Sequence, residues 1–528
     1  MMREFRLDEA TRLTIDDVVR AAQGQQQIVL SQGVRERMQR ARAVVDAHIG
    51  GDIPVYGLNT GLGGNVGHRL KPEEIPAFQE QMVRGRIAGV GEPLPIETCR
   101  AALFCRIVGL AKGGAGISPH VHALMVEMLA RDVIPVVPSR GSLGTGDLII
   151  MMSVSAVLIG RGRAYVGGAI LPGAQALAAA GLQPVELGAK DGLSIANASA
   201  ATCAMAALSL AGIRSLLSVH VAAAALACEG YGANPRIFDA RLAEARPAAG
   251  QVAAAALFRH ALAGSDLHAG GSAQLVQNAI SFRALSQVTG TTLAAYASAR
   301  EAVEIELNAA ADNPTVLAET GEIHSSANFH TPSIALAFDT LAIAMTHLAT
   351  ASAHRSIKLM TGRLSGLPNY LSPVGGASAG FVPMQKAISA LQAEIRLKAA
   401  PASFDGLIVS DTVEDLTPQT ALTIRKLDEQ SALVRWLIAI EAMLGAQAFD
   451  LRAAGAPRRL GQVASGLRDI VRSVVPVLES DRETGPDAEA IHELLWHPRT
   501  IAAIDALLMG VNSPISTAAA GPATATAA

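Results

Sequence analysis

The feature that most constrains the fold is a series of long apolar segments with few helix breakers between residues 191 and 451. Half of all residues are hydrophobic but only 3% are aromatic, so Ala, Leu, Val and Ile dominate, and Ala and Leu favour helix. The pattern predicts a mainly α fold with a bundle of long helices. The segments are 199–228, 279–308, 331–359, 380–399 and 418–451.

The chain divides into three parts by sequence character. Residues 1–190 mix short helical patterns with Gly-rich and Pro-rich turns, and they form a loop-rich N-terminal part. Residues 191–511 contain the predicted bundle and the C-terminal helices, with helix ends indicated at Pro314 and Pro368. Apart from Asn512 and Ile515, residues 512–528 are all Ser, Thr, Ala, Pro and Gly without periodicity, which predicts a disordered tail.

Charge and cysteine content narrow the class of protein. A net charge of -3 leaves no basic excess for nucleic acid or an anionic membrane surface, so we expect neither partner. Four cysteines without a CxxC pair and an N-terminus without a signal peptide pattern favour the cytoplasm. The apolar stretch 198–228 is interrupted by Arg214 and His220, which favours a buried helix over a membrane span. No HExxH or Cys/His cluster predicts a metal site.

Residues 137–148 read VPSRGSLGTGDL, and this loop resembles the G-S-V-G-A-S-G-D-L signature of the histidine and aromatic amino acid ammonia-lyase family. Other family motifs occur in the same order along the chain. They are residues 56–63 (YGLNTGLG), 88–93 (AGVGEP), 191–197, 276–283, 306–314, 328–330, 364–368 and 414–415. Any one motif is weak, but the ordered set is specific. The resemblance implies a histidine ammonia-lyase-like fold and a homotetramer whose active sites are shared among chains.

The loop departs from the family where the cofactor forms. In the family, Ala-Ser-Gly cyclises and dehydrates to the methylidene-imidazolone group, MIO. Here Gly144, Thr145 and Gly146 stand at that point, so one residue and the serine are missing. We therefore expect no cofactor.

The missing serine affects the choice of substrate. Elimination of an amine alpha to a carboxylate needs a base for the β-proton, stabilisation of the developing anion and a departing amine. Ammonia is a poor leaving group, and in the family the electrophilic cofactor compensates for this. An enzyme without MIO needs a substrate whose nitrogen already leaves readily, and a quaternary trimethylammonium meets that requirement.

Three residues are predicted to be catalytic from their family positions. Tyr56 corresponds to the base for the β-proton, although a phenol with its usual pKa near 10 needs a positive charge nearby. Glu414 matches the glutamate that faces the imidazole ring in histidine-specific members. Lys386 lies at a pocket-facing position and could bind a polar heterocycle together with Glu414. Packing of Tyr56 at a helix end and solvent exposure of Lys386 are the structural alternatives.

Six further residues are predicted to bind substrate. Arg283 matches the arginine that holds the substrate carboxylate, and its planar guanidinium suits bidentate binding. Its neighbour Ile280 replaces a family tyrosine. Arg86 replaces a family histidine, with an exposed helix charge as the alternative, and helix capping is the alternative for Asn313. The full set is Arg283, Asn197, Asn313, Arg86, Gln277 and Phe329, in which Phe329 offers a π face to an ammonium group.

These features support three hypotheses about function. The leading one is a carbon–nitrogen lyase that resembles the family's ergothionases and releases trimethylamine from ergothioneine, or from a related histidine betaine, without MIO. The second is a MIO-dependent histidine or aromatic amino acid ammonia-lyase with an unusual loop. The third is a non-catalytic subunit of a lyase assembly, against which the presence of Tyr56, Arg283 and Glu414 argues.

Overall fold

A computed structural model describes residues 3–24, 26–269, 277–404 and 406–515. The predicted disordered tail lies outside the described residues from residue 516 onward. Helices dominate the described part of the chain, which confirms the predicted mainly α fold.

The helices are α1 Ile15–Ala22, α2 Gln32–Ala47, α3 Ile75–Gly85, α4 Ile96–Leu110, α5 Pro119–Ala130, α6 Leu148–Leu158, α7 Gly173–Ala179, α8 Asp191–Ala196, α9 Ala200–Tyr231, α10 Ala240–Glu244, α11 Ala249–Ala261, α12 Ile280–Arg283, α13 Leu285–Leu307, α14 Pro332–Leu359, α15 Gly362–Ser365, α16 Met384–Leu397, α17 Thr420–Gly455, α18 Gln462–Arg472, α19 Thr484–Leu495 and α20 Pro498–Leu507. The strands are β1 Arg3–Leu7, β2 Gln26–Leu30, β3 Val90–Pro93, β4 Ile134–Pro135, β5 Pro138–Arg140, β6 Arg163–Val166, β7 Ala169–Pro172, β8 Thr315–Leu317 and β9 Glu322–His324.

The strands form small sheets between the helices. β1 pairs in parallel with β2 over five residues, from Arg3 opposite Gln26 to Leu7 opposite Leu30. The other pairings are antiparallel and comprise β3 with β5, β8 with β9, and the three-stranded order β4-β6-β7.

Local sequence signals account for many helix ends. Thr14 caps α1 by accepting a hydrogen bond from the Asp17 N–H, while the Asp17 carboxylate accepts one from the Thr14 N–H. Pro119 and Pro332 begin α5 and α14. Proline lacks an N–H, but at the first position of a helix that N–H would have no helical acceptor. The five predicted long segments correspond to α9, α12 with α13, α14, α16 and α17.

The contacts divide the chain into two compact units. Unit 1 contains residues 1–211, 299–338 and 401–425, and unit 2 contains residues 212–298, 339–400 and 426–528. Four of the five unit boundaries fall inside long helices, and the fifth, between residues 400 and 401, falls in the segment after α16. The division after residue 190 therefore describes a change in sequence character, and as a domain boundary it stays a prediction.

Within unit 2, parts of four long helices pack side by side. The backbones of α9 and α17 approach closely, because a Cβ atom on Gly230 would lie 2.8 Å from the Gly445 carbonyl oxygen. His220 of α9 shares a hydrogen bond with Thr289 of α13, and Thr292 of α13 donates one to the Ala344 carbonyl of α14. These contacts form the core of a helical bundle.

Three helical segments are long and apolar enough to cross a membrane by length and composition: Asp191–Tyr231, Pro332–Leu359 and Thr420–Gly455. Between 67% and 78% of the most apolar window of each is buried inside the protein. Packing between helices therefore accounts for their hydropathy. In α9, His220 is buried while Arg214 is partly exposed.

Candidate active site

The shortened loop of unit 1 connects β5 to α6 and is held as a turn by its own carbonyl groups. Gly141, Gly144 and Gly146 all have positive φ angles. The Leu143 carbonyl accepts a hydrogen bond from the Gln419 N–H at 2.8 Å. The Gly144 carbonyl accepts bonds from the N–H of Thr331 at 3.0 Å and from its hydroxyl at 3.2 Å. These bonds fix the loop backbone on the N-terminal side of Thr145.

The two glycines beside Thr145 lie in different surroundings. A Cβ atom on Gly144 would lie 2.5 Å from the Thr420 hydroxyl oxygen and 2.7 Å from Pro418 Cγ, so no side chain fits there. A Cβ atom on Gly146 would lie 3.0 Å from the Asn197 amide oxygen and 3.7 Å from Phe329 Cβ. The structure therefore brings Gly146, Asn197 and Phe329 together.

Asp147 anchors the C-terminal end of this loop, and we did not single it out from the sequence. Its carboxylate accepts hydrogen bonds from the Ser142 hydroxyl at 2.7 Å and from the N–H and hydroxyl of Thr202 at 2.8 and 2.6 Å. Complete burial raises the pKa of Asp147, and these donors oppose the shift. The sequence signal for Asp147 was the aspartate that the family's loop motif contains at this position.

The two predicted asparagines contact each other through one hydrogen bond. The Asn197 side chain donates to the Asn313 carbonyl at 2.8 Å. The Asn313 side-chain oxygen accepts from the Ser326 N–H at 2.9 Å, and neither α13 nor α14 begins or ends at Asn313. Helix capping, the alternative for Asn313, is therefore wrong: this side chain ties the segment after β9 to the segment before β8.

A set of buried charges lies beneath the two asparagines. Asp312 accepts hydrogen bonds from Arg106 at 2.9 Å and from Lys190 at 3.2 Å. Arg106 also donates to the carbonyl groups of Ser194 and Ile195 in α8, which leads into Asn197. Burial lowers the pKa of Lys190, and the Asp312 charge opposes that shift. These residues stabilise the backbone that presents Asn197 and Asn313.

Tyr56 is half-buried at the start of the YGLNTGLG loop. Its ring packs against the core cluster of Leu62, Met82 and Leu193, and its hydroxyl oxygen accepts a hydrogen bond from the Gly63 N–H at 3.0 Å. Arg86, at the C-terminal end of α3, is also half-buried. Burial lowers the pKa of Arg86, and the charge of an ionised Tyr56 opposes that shift. Arg86 is thus a positive charge close enough to act on Tyr56.

Glu414 lies in a turn near the Tyr56 loop. Its carboxylate accepts a hydrogen bond from the Ser410 hydroxyl at 2.8 Å, and its backbone pairs with Val409. A Cβ atom on Gly64 would lie 3.1 Å from the Cβ atom of Asp411, next to Ser410. The loop that contains Tyr56 and the turn that presents Glu414 are therefore neighbours in unit 1.

The remaining predicted residues belong to unit 2. The Arg283 Nε atom donates to the Asn278 carbonyl at 2.7 Å, and Arg283 ends the one-turn helix α12. Gln277 is exposed, and Ile280, which replaces a family tyrosine, is 63% exposed. Lys386 lies in the first turn of α16 and is exposed. The roles of these residues stay predictions. Among the residues that the structure describes, no group of three or more His, Cys, Asp or Glu side chains could hold a metal ion.

The sequence matches the aromatic amino acid lyase family over residues 13–473. The chain belongs to this family. It is therefore a carbon–nitrogen lyase of the ammonia-lyase type, as its sequence motifs indicated. The histidine ammonia-lyase of Myxococcus xanthus is 36% identical over 506 residues, which cover 96% of this chain and 99% of the relative. That of Anaeromyxobacter sp. (strain K) is 38% identical over 505 residues, with 94% and 99% covered.

Solved structures of this lyase family share the fold. The ergothioneine-degrading enzyme ergothionase from Treponema denticola superposes with a TM-score of 0.89 at 30% identity, covering 93% of this chain and 98% of its own. The histidine ammonia-lyase from Trypanosoma cruzi superposes with a TM-score of 0.85 at 27% identity, covering 99% and 100%. These likenesses confirm the predicted histidine ammonia-lyase fold.

Proposed function

We propose that this lyase releases trimethylamine from ergothioneine, or from a related histidine betaine, by 1,2-elimination without MIO. The observation on which the proposal rests is the loop Gly144, Thr145 and Gly146, which lacks Ala-Ser-Gly. The likeness to a solved ergothionase supports the choice of substrate.

The residues at the cofactor position do not fit formation of MIO. No serine stands between Gly144 and Gly146 to provide the exocyclic methylidene. Thr145 pairs through its backbone with His330, and the Gly144 carbonyl is bound by Thr331. The chain therefore works, in this proposal, with no cofactor, and the substrate supplies the activated leaving group.

The proposed reaction balances without an added acid. Tyr56, as the phenolate, takes the β-proton, and the electrons of that C–H bond form the double bond between Cα and Cβ. The bond from Cα to nitrogen breaks, and its electron pair leaves with the nitrogen as neutral trimethylamine. The other product is a thiol-substituted urocanate. In this scheme Arg86 is the positive charge that stabilises the phenolate.

The other site residues hold the substrate in this scheme. Arg283 binds the carboxylate, while Lys386 and Glu414 engage the thio-imidazole and stabilise the carbanion. Phe329 presents its ring to the trimethylammonium group beside Gly146. Asn197, Asn313 and Gln277 provide amide groups for the polar parts of the substrate.

We further propose that the protein is a cytoplasmic homotetramer whose active sites are shared among chains. Its binding partner is a small-molecule substrate, and we expect it to bind neither nucleic acid nor a membrane. The net charge of -3 supports the proposal that the protein binds neither nucleic acid nor a membrane.

A MIO-dependent histidine ammonia-lyase is the second candidate. The near full-length identity of 36% to 38% to histidine ammonia-lyases favours it. The two functions differ in the amine that leaves, so identification of the released amine distinguishes them.

The test is separate incubation of the purified protein with ergothioneine, hercynine and histidine. Trimethylamine, ammonia and the ultraviolet absorbance of a conjugated product are measured, with the Tyr56→Phe variant as the control for contaminating activity. We expect trimethylamine and a conjugated product from ergothioneine. Ammonia from histidine alone would contradict the proposal, and no product from any of the three would support a non-catalytic role.

A further inference from the structure

The one-turn helix α12, which presents Arg283, and the residues just before it are held in unit 2 by three separate contacts. The Phe282 ring stacks on Tyr231 with 4.1 Å between ring centroids and an angle of 19°. The Asn278 side-chain oxygen accepts a hydrogen bond from the Asn234 N–H at 2.8 Å. Arg355 of α14 donates to the Ser281 carbonyl at 3.2 Å. The last contact connects α12 to a buried ion pair.

Arg355 and Glu441 form this ion pair between α14 and α17, and neither side chain has any exposed surface. The guanidinium binds both carboxylate oxygens, through Nε to Oε1 and through Nη2 to Oε2 at 3.0 Å. The Ser352 hydroxyl also donates to Glu441. Replacement of such a pair by apolar side chains is often neutral for stability, so stability alone does not explain charges at this depth.

His220, a titratable side chain whose pKa the Arg355 charge affects, does not explain the pair either. His220 on α9 is fully buried, and burial together with the Arg355 charge holds its pKa well below the usual range. His220 is therefore neutral at physiological pH. The Arg355 guanidinium has its carboxylate partner in Glu441 and directs its Nη1 atom at the Ser281 carbonyl.

We propose that Arg355 and Glu441 are positioning residues that set the place of Arg283. Glu441 orients the Arg355 guanidinium, which holds the Ser281 carbonyl two residues before Arg283. Arg283 is oriented in turn by its bond to the Asn278 carbonyl, two residues before α12 begins. Bidentate binding of a carboxylate depends on the place and angle of the guanidinium, so a small displacement of α12 weakens it. This inference rests on the proposed function, in which Arg283 binds the substrate carboxylate.

The test replaces the whole pair with apolar residues in the double variant Arg355→Met with Glu441→Leu. This change removes the tether to Ser281 without leaving an unpaired buried charge. The matched control is Lys426→Met with Asp339→Leu, because Lys426 and Asp339 form an ion pair between the same two helices, α17 and α14. The Lys426 ammonium of that pair donates to Asp339 and to the Ala400 carbonyl, which lies after α16.

The readouts separate binding of the carboxylate from a general loss of structure. For the Arg355 and Glu441 double variant we expect KM for ergothioneine to rise at least about tenfold while kcat changes less than about threefold. Calorimetry with ergothioneine and its carboxamide should show a matching loss of preference for the carboxylate. The control should keep both values. An unchanged KM, or equal losses for carboxylate and carboxamide, would overturn the inference.

The variant Arg355→Lys covers the case in which the double variant does not fold. Lysine keeps the charge beside Glu441 but lacks the planar fork that reaches two carboxylate oxygens and the Ser281 carbonyl together. We expect a smaller rise in KM, and an unchanged KM in folded protein would also overturn the inference. Calorimetry with histidine and histidinamide makes the test independent of turnover. If the wild type releases no trimethylamine yet prefers the carboxylate, the proposed function fails while the positioning inference stays testable.

Discussion

The ring of Tyr56 has a structural role, and its hydroxyl group has the proposed chemical role. Its ring packs against Leu62, Met82 and Leu193, whereas its hydroxyl oxygen accepts a hydrogen bond from the Gly63 N–H. Removal of the oxygen should therefore leave the ring packing intact and delete the proposed base together with the acceptor of the Gly63 N–H.

We predict that Tyr56→Phe lowers kcat by at least about a hundredfold, because a positioned base contributes about that much or more. The thermal unfolding temperature should stay close to that of the wild type. The control is Tyr165→Phe in β6, which should keep full activity. Turnover of Tyr56→Phe within about twofold of the wild type would exclude the tyrosine as the base.

Glu229 provides a prediction for stability that does not depend on the site. It accepts hydrogen bonds from the Ser265 hydroxyl and the Gly461 N–H, and burial raises its pKa from 4.5 to about 7. The folded protein thus binds this proton more tightly than the unfolded chain. Stability should fall as the pH rises from 4.5 through about 7, by on the order of 3 kcal/mol.

The variant Glu229→Gln removes this titration and keeps a side chain of similar shape. We predict a higher unfolding temperature than the wild type above pH 7 and no such advantage near pH 4.5. Exposed Glu244→Gln is the control and should follow the wild type at every pH. A constant difference between Glu229→Gln and the wild type from pH 5 to pH 9 would show that Glu229 does not bind its proton as described.

At the scale of elements, the shortened loop decides which chemical group fits beside Phe329. Gly146 has a φ of +87°, and a Cβ atom there would lie 3.0 Å from the Asn197 amide oxygen. We predict that Gly146→Ala lowers trimethylamine release at least about tenfold, because a methyl group would enter the space beside Asn197 and Phe329.

Gly168 is the matched control for this variant, because its φ is +84° and nothing lies within 4 Å of the position of its Cβ atom. Gly168→Ala bears a similar backbone strain of about 1 to 2 kcal/mol without the contact. It should keep its activity. Equal activity in Gly146→Ala and Gly168→Ala would show that the space beside Asn197 is not used.

The long helices could be predicted from the sequence because few breakers interrupt them and because Pro314 and Pro368 lie between them. The break between α12 and α13 could not. The segment 279–308 contains no proline there, and the turn is held by contacts of Phe282 with Tyr231 and of Ser281 with Arg355. Both contacts join residues more than fifty positions apart, which local periodicity does not report.

Only the part of the candidate site that lies in the family motifs could be predicted from the sequence. They located the loops with Tyr56, Asn197, Asn313 and Glu414, since loop residues bear the family pattern. The buried set of Arg106, Lys190 and Asp312 was missed. A charged residue in an otherwise helical or loop sequence indicates exposure, and burial becomes evident only when its partners are known.

At the scale of the whole molecule, the proposed tetramer gives a prediction about mass and about activity. Light scattering should give four times the chain mass of 54.5 kDa. If Tyr56 and Arg283 of one site come from different chains, co-expressed Tyr56→Phe and Arg283→Met variants should form some intact sites. Random mixing would restore about a quarter of the wild-type activity.

Each variant alone is the control for this mixing experiment and should be inactive. Activity that stays at the background level in co-purified mixed tetramers would show that one chain supplies both residues.

The central claim is that the substrate, and not MIO, supplies the reactivity for elimination. The most direct measurement is the amount of trimethylamine released from ergothioneine after the protein has been treated with borohydride, which inactivates MIO. We predict one trimethylamine for each ergothioneine consumed, with no ammonia and no loss of rate after treatment. Loss of activity on treatment, together with ammonia released from histidine by untreated protein, would contradict the account.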